Sequence, residues 1–332
     1  MACLDPLNRP IEYLRISVTD RCNLRCIYCM PPEGVPWRPH EEILRYEEIV
    51  QVVRLAAELG IRKVRLTGGE PLVRPGLAGL IASLAGIPGI EDLSLTTNGT
   101  LLEARAAELA ASGLHRVNVS LDSLNPERFA RLTRGGDLDA VLRGIEAARR
   151  AGLNPVKLNT VVIRRWNDDE VALFARKTRE EGWHVRFIEF MPIGRRPDEG
   201  REAWQEELVT VEEMRRRIEE EVGPLLPYAG PGGAGPARYY RLEGAEGTIG
   251  FISPVSEHFC ARCNRLRLSA DGRLRPCLLS DAEVDLRTIL RNGAGPEEVR
   301  ERIVEAICRK PAGHRLAEGE FPHGRTMSEI GG

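Results

Sequence analysis

Short strand-like runs in which apolar and polar residues alternate recur through the first two-thirds of the chain. They are YLRISV (13–18), RKVRLT (62–67), EDLSLTT (91–97), RVNVSL (116–121), PVKLNTVVI (155–163) and HVRFIEF (184–190). Between them lie patterns of helical spacing, which predict helices near 46–59, 76–85, 101–112, 126–132, 137–151 and 168–181. Strands that alternate with helices imply parallel βαβ units. Six such strands predict an α/β fold, an incomplete (βα)6 TIM-type barrel, since the closed form has eight.

The texture changes after a predicted helix at 210–222. The stretch PLLPYAGPGGAGPARYY (224–240) is rich in Pro and Gly and marks a loop or domain boundary. The expected division is a core of residues 1–225 and a C-terminal α+β extension of residues 226–332. Strands are expected in the extension at 239–242, 248–252 and 265–269, with a turn at Asp271-Gly272 and helices near 283–292 and 296–309. The sequence shows no internal repeat, low-complexity tract or heptad run.

Charge and cysteine usage narrow the function. A net charge of −2 argues against a broad nucleic-acid footprint, which needs a basic excess. The opening residues MACLDPLNRP hold no apolar run of signal-peptide length, and no later stretch is long enough to span a membrane. The expected location is therefore the reducing cytoplasm, where clustered thiols read as metal ligands rather than disulfides. Six of the eight cysteines fall into two tight groups: Cys22, Cys26 and Cys29, then Cys260, Cys263 and Cys277. Cys3 and Cys308 match no motif and read as spare thiols.

Cys22, Cys26 and Cys29 follow the first strand as Cys-x3-Cys-x2-Cys. Zinc sites usually close with four ligands at paired spacings. Three thiolates this close together suit a four-iron cubane with one iron left open to a ligand. Thr67-Gly68-Gly69-Glu70-Pro71 follows the second strand, where glycines would let backbone approach a ligand and Glu70 could accept from an ammonium. Other polar residues fall near strand ends: Thr96-Thr97-Asn98-Gly99, Ser120-Leu121-Asp122 and Met191-Pro192. In a barrel such ends converge on one mouth. Arg15, Arg65, Lys157 and Arg186 lie within strands, and several cations sharing one cavity call for a polyanion such as a triphosphate. The second group, in FCARCNRLRLSADGRLRPCL, reads either as a zinc ribbon lacking a ligand or as another three-thiolate cubane. Arg265 and Arg267 alternate beyond Cys263, so both face one side of a strand.

The loop TDRCNLRCIYCMP resembles the signature of the radical S-adenosylmethionine superfamily, and Gly68-Gly69-Glu70 resembles its Gly-Gly-Glu motif. The resemblance implies S-adenosylmethionine contacts at Tyr28, Gly69, Ser120 and Met191, with Glu70 near the methionyl amino group. The lead-in FISPVSEHFC, the second cysteine segment and the terminal MSEIGG resemble the GTP 3′,8-cyclase family in order along the chain. That family implies two [4Fe-4S] clusters, the first cleaving S-adenosylmethionine to a 5′-deoxyadenosyl radical and the second meeting guanine. The radical abstracts hydrogen from GTP C3′ and the product is (8S)-3′,8-cyclo-7,8-dihydroguanosine 5′-triphosphate, the first step of molybdenum cofactor synthesis. Implied GTP contacts are Arg15, Arg65, Thr96, Lys157, Arg265, Leu266 and Arg267, and the Gly331-Gly332 tail is expected to reach the cavity. Implied partners are an external electron donor and, for the product, pyranopterin monophosphate synthase; the protein is expected as a monomer or homodimer. The competing readings are a radical peptide-modifying enzyme with an auxiliary cluster, a tRNA-modifying radical enzyme and a zinc-stabilised binding module. The first would carry more cysteines, and the second would need a basic surface.

Overall fold

The computed structural model describes residues 3–193, 203–232, 235–318, 320–322 and 324–331. Six parallel strands form its centre: β1 (Tyr13–Ser17), β2 (Lys63–Thr67), β3 (Asp92–Thr97), β4 (Arg116–Ser120), β5 (Lys157–Val162) and β6 (His184–Glu189). The helices between them are α1 (Tyr46–Glu58), α2 (Leu77–Ala85), α3 (Ala106–Ala111), α4 (Pro126–Thr133), α5 (Leu138–Arg150) and α6 (Val171–Glu180), with α7 (Ala203–Glu207) and α8 (Val211–Glu221) following β6. Local chemistry starts several of them. Asn125, Asp137 and Thr210 accept from backbone N–H groups of the first turns of α4, α5 and α8.

The C-terminal residues contribute β7 (Leu226–Tyr228), β8 (Arg238–Arg241), β9 (Thr248–Ile252), β10 (Arg265–Leu268), β11 (Arg273–Arg275), β12 (Val284–Asp285), α9 (Arg287–Arg291) and α10 (Pro296–Cys308). These strands build no second sheet. β9 pairs parallel with β6, and β10 pairs parallel with β1. The antiparallel pairs β8–β7 and β11–β12 then finish the two edges, in the order β12-β11-β10-β1-β2-β3-β4-β5-β6-β9-β8-β7. The incomplete (βα)6 barrel is thus extended at both edges by residues from beyond the Pro/Gly-rich stretch.

Two expected helices are shorter than their patterns. Residues 101–105 run through turns after Gly99 (φ +82°), so α3 begins only at Ala106. In 283–292, Val284 pairs with Leu274 as a strand, and Asp285 accepts from the Thr288 N–H, delaying α9 to Arg287.

The two faces of the sheet differ. Leu14, Ile16, Val64, Leu66, Leu93, Leu95, Val117, Val119, Leu158, Val185 and Phe187 point outward into one apolar core with Ile49, Val53, Leu80, Ile81, Val141, Ile145 and Phe174 of the helices. Ile249, Phe251, Leu266, Leu268, Val299 and Ile303 from the C-terminal part belong to the same core. The alternate positions carry Arg15, Arg65, Ser94, Asn118, Lys157, Asn159, Arg186, Arg265 and Arg267. Parallel sheets are ordinarily apolar on both faces, and barrel interiors are filled with branched apolar side chains. A polar inner row instead defines a lumen.

Candidate active site

The first cysteine loop is zipped to the end of β2. The Val18, Gly69 and Glu70 N–H groups donate to the carbonyls of Thr67, Thr19 and Arg21. A Cβ on Gly68 would stand 2.7 Å from the Thr19 carbonyl oxygen, and one on Gly69 only 2.4 Å from that of Arg21. The close approach that demands these glycines is therefore made by the cysteine loop itself. Glu70 belongs to the same junction. It is fully buried, and its carboxylate already accepts from the Leu72 N–H (3.0 Å), the Thr97 hydroxyl (2.7 Å) and the Asn98 N–H (2.7 Å). Burial still pushes its carboxyl up to about 7 against those bonds. Glu70 fixes the end of β3 against the loop.

Cys22, Cys26 and Cys29 sit within electrostatic reach of one another. Burial raises all three thiols, Cys29 to about 12, and Cys22 adds to the rise at both Cys26 and Cys29. The described residues hold no group of three ligands close enough for a single metal ion. Three electrostatically coupled thiols in a desolvated loop suit instead the spread irons of a cluster, which would take up the thiolate charge. Tyr28 donates to Asp122 (2.6 Å), whose other oxygen accepts from the Val161 N–H (2.8 Å). Burial pushes the Asp122 carboxyl up to about 6 and the Tyr28 phenol well above its usual range. The ring of Tyr28 is thus held across three elements.

The second group is held by cations. Arg9, paired with buried Asp5, donates to the carbonyls of Cys260 (2.7 Å), Pro311 (2.7 Å) and Ala312 (3.3 Å). Lys310 is buried and donates to the carbonyls of Arg265 and Pro276, each at 2.7 Å. Burial alone would raise the Cys263 thiol, but Arg265 and Lys310 outweigh it and bring it down to about 6. Cys260 is raised by burial and next by Cys277 and Cys263, against a hydrogen bond from the His314 main chain. These three sulfurs also fit a three-thiolate cluster. The lead-in to Cys260 is anchored by Glu189, whose carboxylate accepts from the N–H groups of Val211, Val255 and Ser256 and from the Ser256 hydroxyl.

Both thiol groups open onto one cavity, whose wall also contains Tyr28, Gly69, Ser120, Met191, Arg15, Arg65, Thr96, Arg265 and Arg267. The Thr96 hydroxyl is buried with no partner among the described residues. Burial lowers Arg65 and Arg267 to about 10 and Arg15 well below its ordinary range, and Arg267, Arg65 and Arg265 press Arg15 further down. Lys157 and Leu266 stand apart. Lys157 is 1% exposed, donates to the Gly232 carbonyl and is lowered to about 6 by burial and then by Arg186, Arg116 and Arg65. Leu266 occupies the outward row, so its side chain packs in the core and only its main chain is left to face a ligand.

The tail enters the same space. Ser328 and Met327 line the cavity, Ile330 is buried, and the Gly331 carbonyl accepts from Arg267 at 3.3 Å. Gly331 has φ +73°, and a Cβ there would lie 2.8 Å from Thr67 and 3.0 Å from Ser17. Gly332 lies outside the described residues.

Residues 16–177 match the radical SAM superfamily, and residues 183–316 match the molybdenum cofactor synthesis C family. The GTP 3′,8-cyclases of Pelotomaculum thermopropionicum and Heliobacterium modesticaldum are 55% and 54% identical over 329 and 330 residues. These alignments cover 99% of this chain in each case, and 99% and 100% of the two relatives. The chain belongs to the GTP 3′,8-cyclase family. Its fold is similar to that of Streptococcus suis SuiB bound to S-adenosylmethionine, with a TM-score of 0.58 at 13% identity, covering 88% of this chain and 69% of that one. Membership in the GTP 3′,8-cyclase family brings two [4Fe-4S] clusters and S-adenosylmethionine as cofactors, which the two sets of three thiols fit. It leaves unassigned Asp122, Glu189, Arg9 and Lys310, which hold the walls of the cavity. For Glu189 a signal existed: it is an acid in the outward row of Val185 and Phe187. For Lys310 the signal was rarity, as one of four lysines among 47 basic residues.

Proposed function

We propose that this protein converts GTP to (8S)-3′,8-cyclo-7,8-dihydroguanosine 5′-triphosphate, the first step of molybdenum cofactor synthesis. The observation that carries the reading is that two three-thiol groups and an inward row of cations share one cavity. When bound, the first cluster and S-adenosylmethionine supply the hydrogen-abstracting radical, and the second cluster supplies an open iron for guanine. Cys22, Cys26 and Cys29 hold the first cluster, and Cys260, Cys263 and Cys277 the second. Tyr28, held by Asp122, presents a ring to the adenine, while Gly69, Ser120 and Met191 complete the S-adenosylmethionine site. Arg15, Arg65, Thr96, Arg265, the Leu266 main chain and Arg267 contact GTP. Lys157 joins them by exchanging the Gly232 carbonyl for phosphate. A triphosphate would offset the repulsion among these buried cations.

Among the described residues no helix is long and apolar enough to cross a membrane. The protein's clustered thiols, serving as cluster ligands rather than disulfides, suit the reducing cytoplasm, where the enzyme works as a monomer or homodimer that binds neither nucleic acid nor membrane. It takes electrons from an external donor and passes its product to pyranopterin monophosphate synthase. The test is anaerobic incubation of the reconstituted protein with GTP, S-adenosylmethionine and dithionite. Cyclised nucleotide with 5′-deoxyadenosine formed only when GTP is present is the expected result. Zinc without sulfide, or deoxyadenosine without cyclised nucleotide, would overturn the reading.

A further inference from the structure

At its end the tail is held by the burial of Ser328, Ile330 and Gly331 and by a hydrogen bond of the Ser328 main chain to the Cys29 thiol, with few charged contacts among the described residues. Gly331 accepts one long bond from Arg267 (3.3 Å), and Glu329 lies 3.8 Å from Arg38. The bonds of Thr326 to Glu329 and Ser328 stay within the tail. Among the described tail residues, Arg325 makes the short charged contacts with the body of the protein. Arg325 meets Asp271 with both terminal nitrogens, at 3.1 and 3.0 Å, and reaches Glu283 at 2.7 Å through Nε and 3.0 Å through Nη2. Its side chain is 12% exposed, and those of Asp271 and Glu283 are 6% and 23% exposed. Forked Arg–carboxylate contacts of this sort are among the stronger and more directional polar interactions.

The two carboxylates are attached to the chemistry. Asp271 sits in the turn between β10, which carries Arg265 and Arg267, and β11, which leads to Cys277. Glu283 follows Cys277 and also binds Arg275 of β11. Asp271 lies within 3.7 Å of Arg38, whose N–H donates to Asp20 beside the first cysteine loop. The partners do not depend on Arg325 alone: Asp271 keeps the Ser269 hydroxyl (2.5 Å) and Arg38, and Glu283 keeps Arg275. Removing Arg325 therefore leaves neither buried carboxylate without a donor.

We infer that Arg325 is a positioning residue for the reaction, a latch that seats the C-terminal tail in the cavity through Asp271 and Glu283. The inference rests on the cyclase reading for its catalytic consequence but not for its structural one. Without the latch the tail loses its anchor six residues before Gly331, and the end that meets Arg267 is no longer registered against it. Small displacements of a group that orients substrate have large rate effects.

Two readouts on Arg325→Ala and Arg325→Lys test this. The first is carboxypeptidase digestion of the full chain without nucleotide, followed by mass spectrometry. The wild-type tail, with Ile330 and Gly331 buried, should resist, the Ala variant should be trimmed, and the Lys variant should fall between. The second is the ratio of cyclised product to 5′-deoxyadenosine in the anaerobic assay. It should drop at least about 10-fold in the Ala variant, with iron content and thermal midpoint unchanged. A tail in Arg325→Ala as resistant as wild type, or an unchanged product ratio, overturns the latch. If the wild type itself makes no cyclised product, the functional reading fails while the digestion still decides the latch.

Discussion

Buried ionisable side chains around the cavity give the sharpest expectations at the scale of single residues. Lys157 stands near 6 in the free protein, far below its ordinary 10.5, because burial and neighbouring arginines disfavour its charge. A triphosphate in the lumen would reverse both influences and restore the proton. GTP binding near pH 8 should then take up about one proton, and affinity should fall as pH rises from about 6. Calorimetry in buffers of different ionisation enthalpy measures that uptake directly. Lys157→Met should lose it, and a wild type without uptake would remove Lys157 from the phosphate site. Glu70 gives the opposite sign for an acid. Its folded value of about 7 lies above the ordinary 4.5, so the folded state holds the extra proton between these limits. Its share of stability is therefore complete below about 4.5 and lost as pH rises towards 7. Glu70→Gln mimics the protonated acid and removes this titration, so the fall in the denaturant midpoint of the wild type between pH 5 and pH 8 should shrink in the variant. A variant with the same fall as wild type would mean that Glu70 does not hold the proton. Residue patterns made Arg265 and Arg267 legible, because strand alternation puts both on one side. The same alternation turns Leu266 away. What the pattern could not reveal is that the Glu70 carboxylate would accept three hydrogen bonds from its own neighbours.

At the scale of elements, the junctions between loops and strands decide where the thiols go. The six central strands were legible because each is a short alternating run bounded by turn residues, and their registers pair as parallel neighbours. The need for glycine at 69 was also legible, though its cause was not: the Arg21 carbonyl, close in space and distant in sequence, occupies the volume. Gly69→Ala should accordingly push the first cysteine loop off the end of β2. After reconstitution we expect roughly half the wild-type iron and sulfide, the second cluster being retained on its own clamp of Arg9 and Lys310. Full iron content with intact cleavage of S-adenosylmethionine would show that the loop tolerates the methyl group. Cys263→Ala should do the reverse, sparing the first loop and abolishing cyclised product while some uncoupled deoxyadenosine formation persists.

For the whole molecule, the change of texture at 224–240 suggests two domains, and the sheet crosses that boundary twice. Sequence texture reports local composition, whereas β10 returns to β1 across some 250 residues of chain, a pairing that no local signal carries. If residues 226–332 were an independent unit, residues 1–225 would fold without them. Their removal would instead bare the edges of β1 and β6 along their full registers with β10 and β9. It would also strip Ile249, Phe251, Leu266, Leu268, Val299 and Ile303 from the core that packs α1 and β1. Unpaired parallel edges next to exposed apolar surface favour association between chains. Large-to-small changes at single buried positions already cost several kcal/mol, so losing six such side chains together exceeds the usual stability of a domain. We therefore expect the intact chain to unfold in one transition in guanidinium, with tryptophan fluorescence and far-ultraviolet circular dichroism coincident. The fragment 1–225 should be insoluble or lack a cooperative transition. A soluble fragment that unfolds cooperatively and still assembles one cluster would make the first 225 residues a domain in their own right.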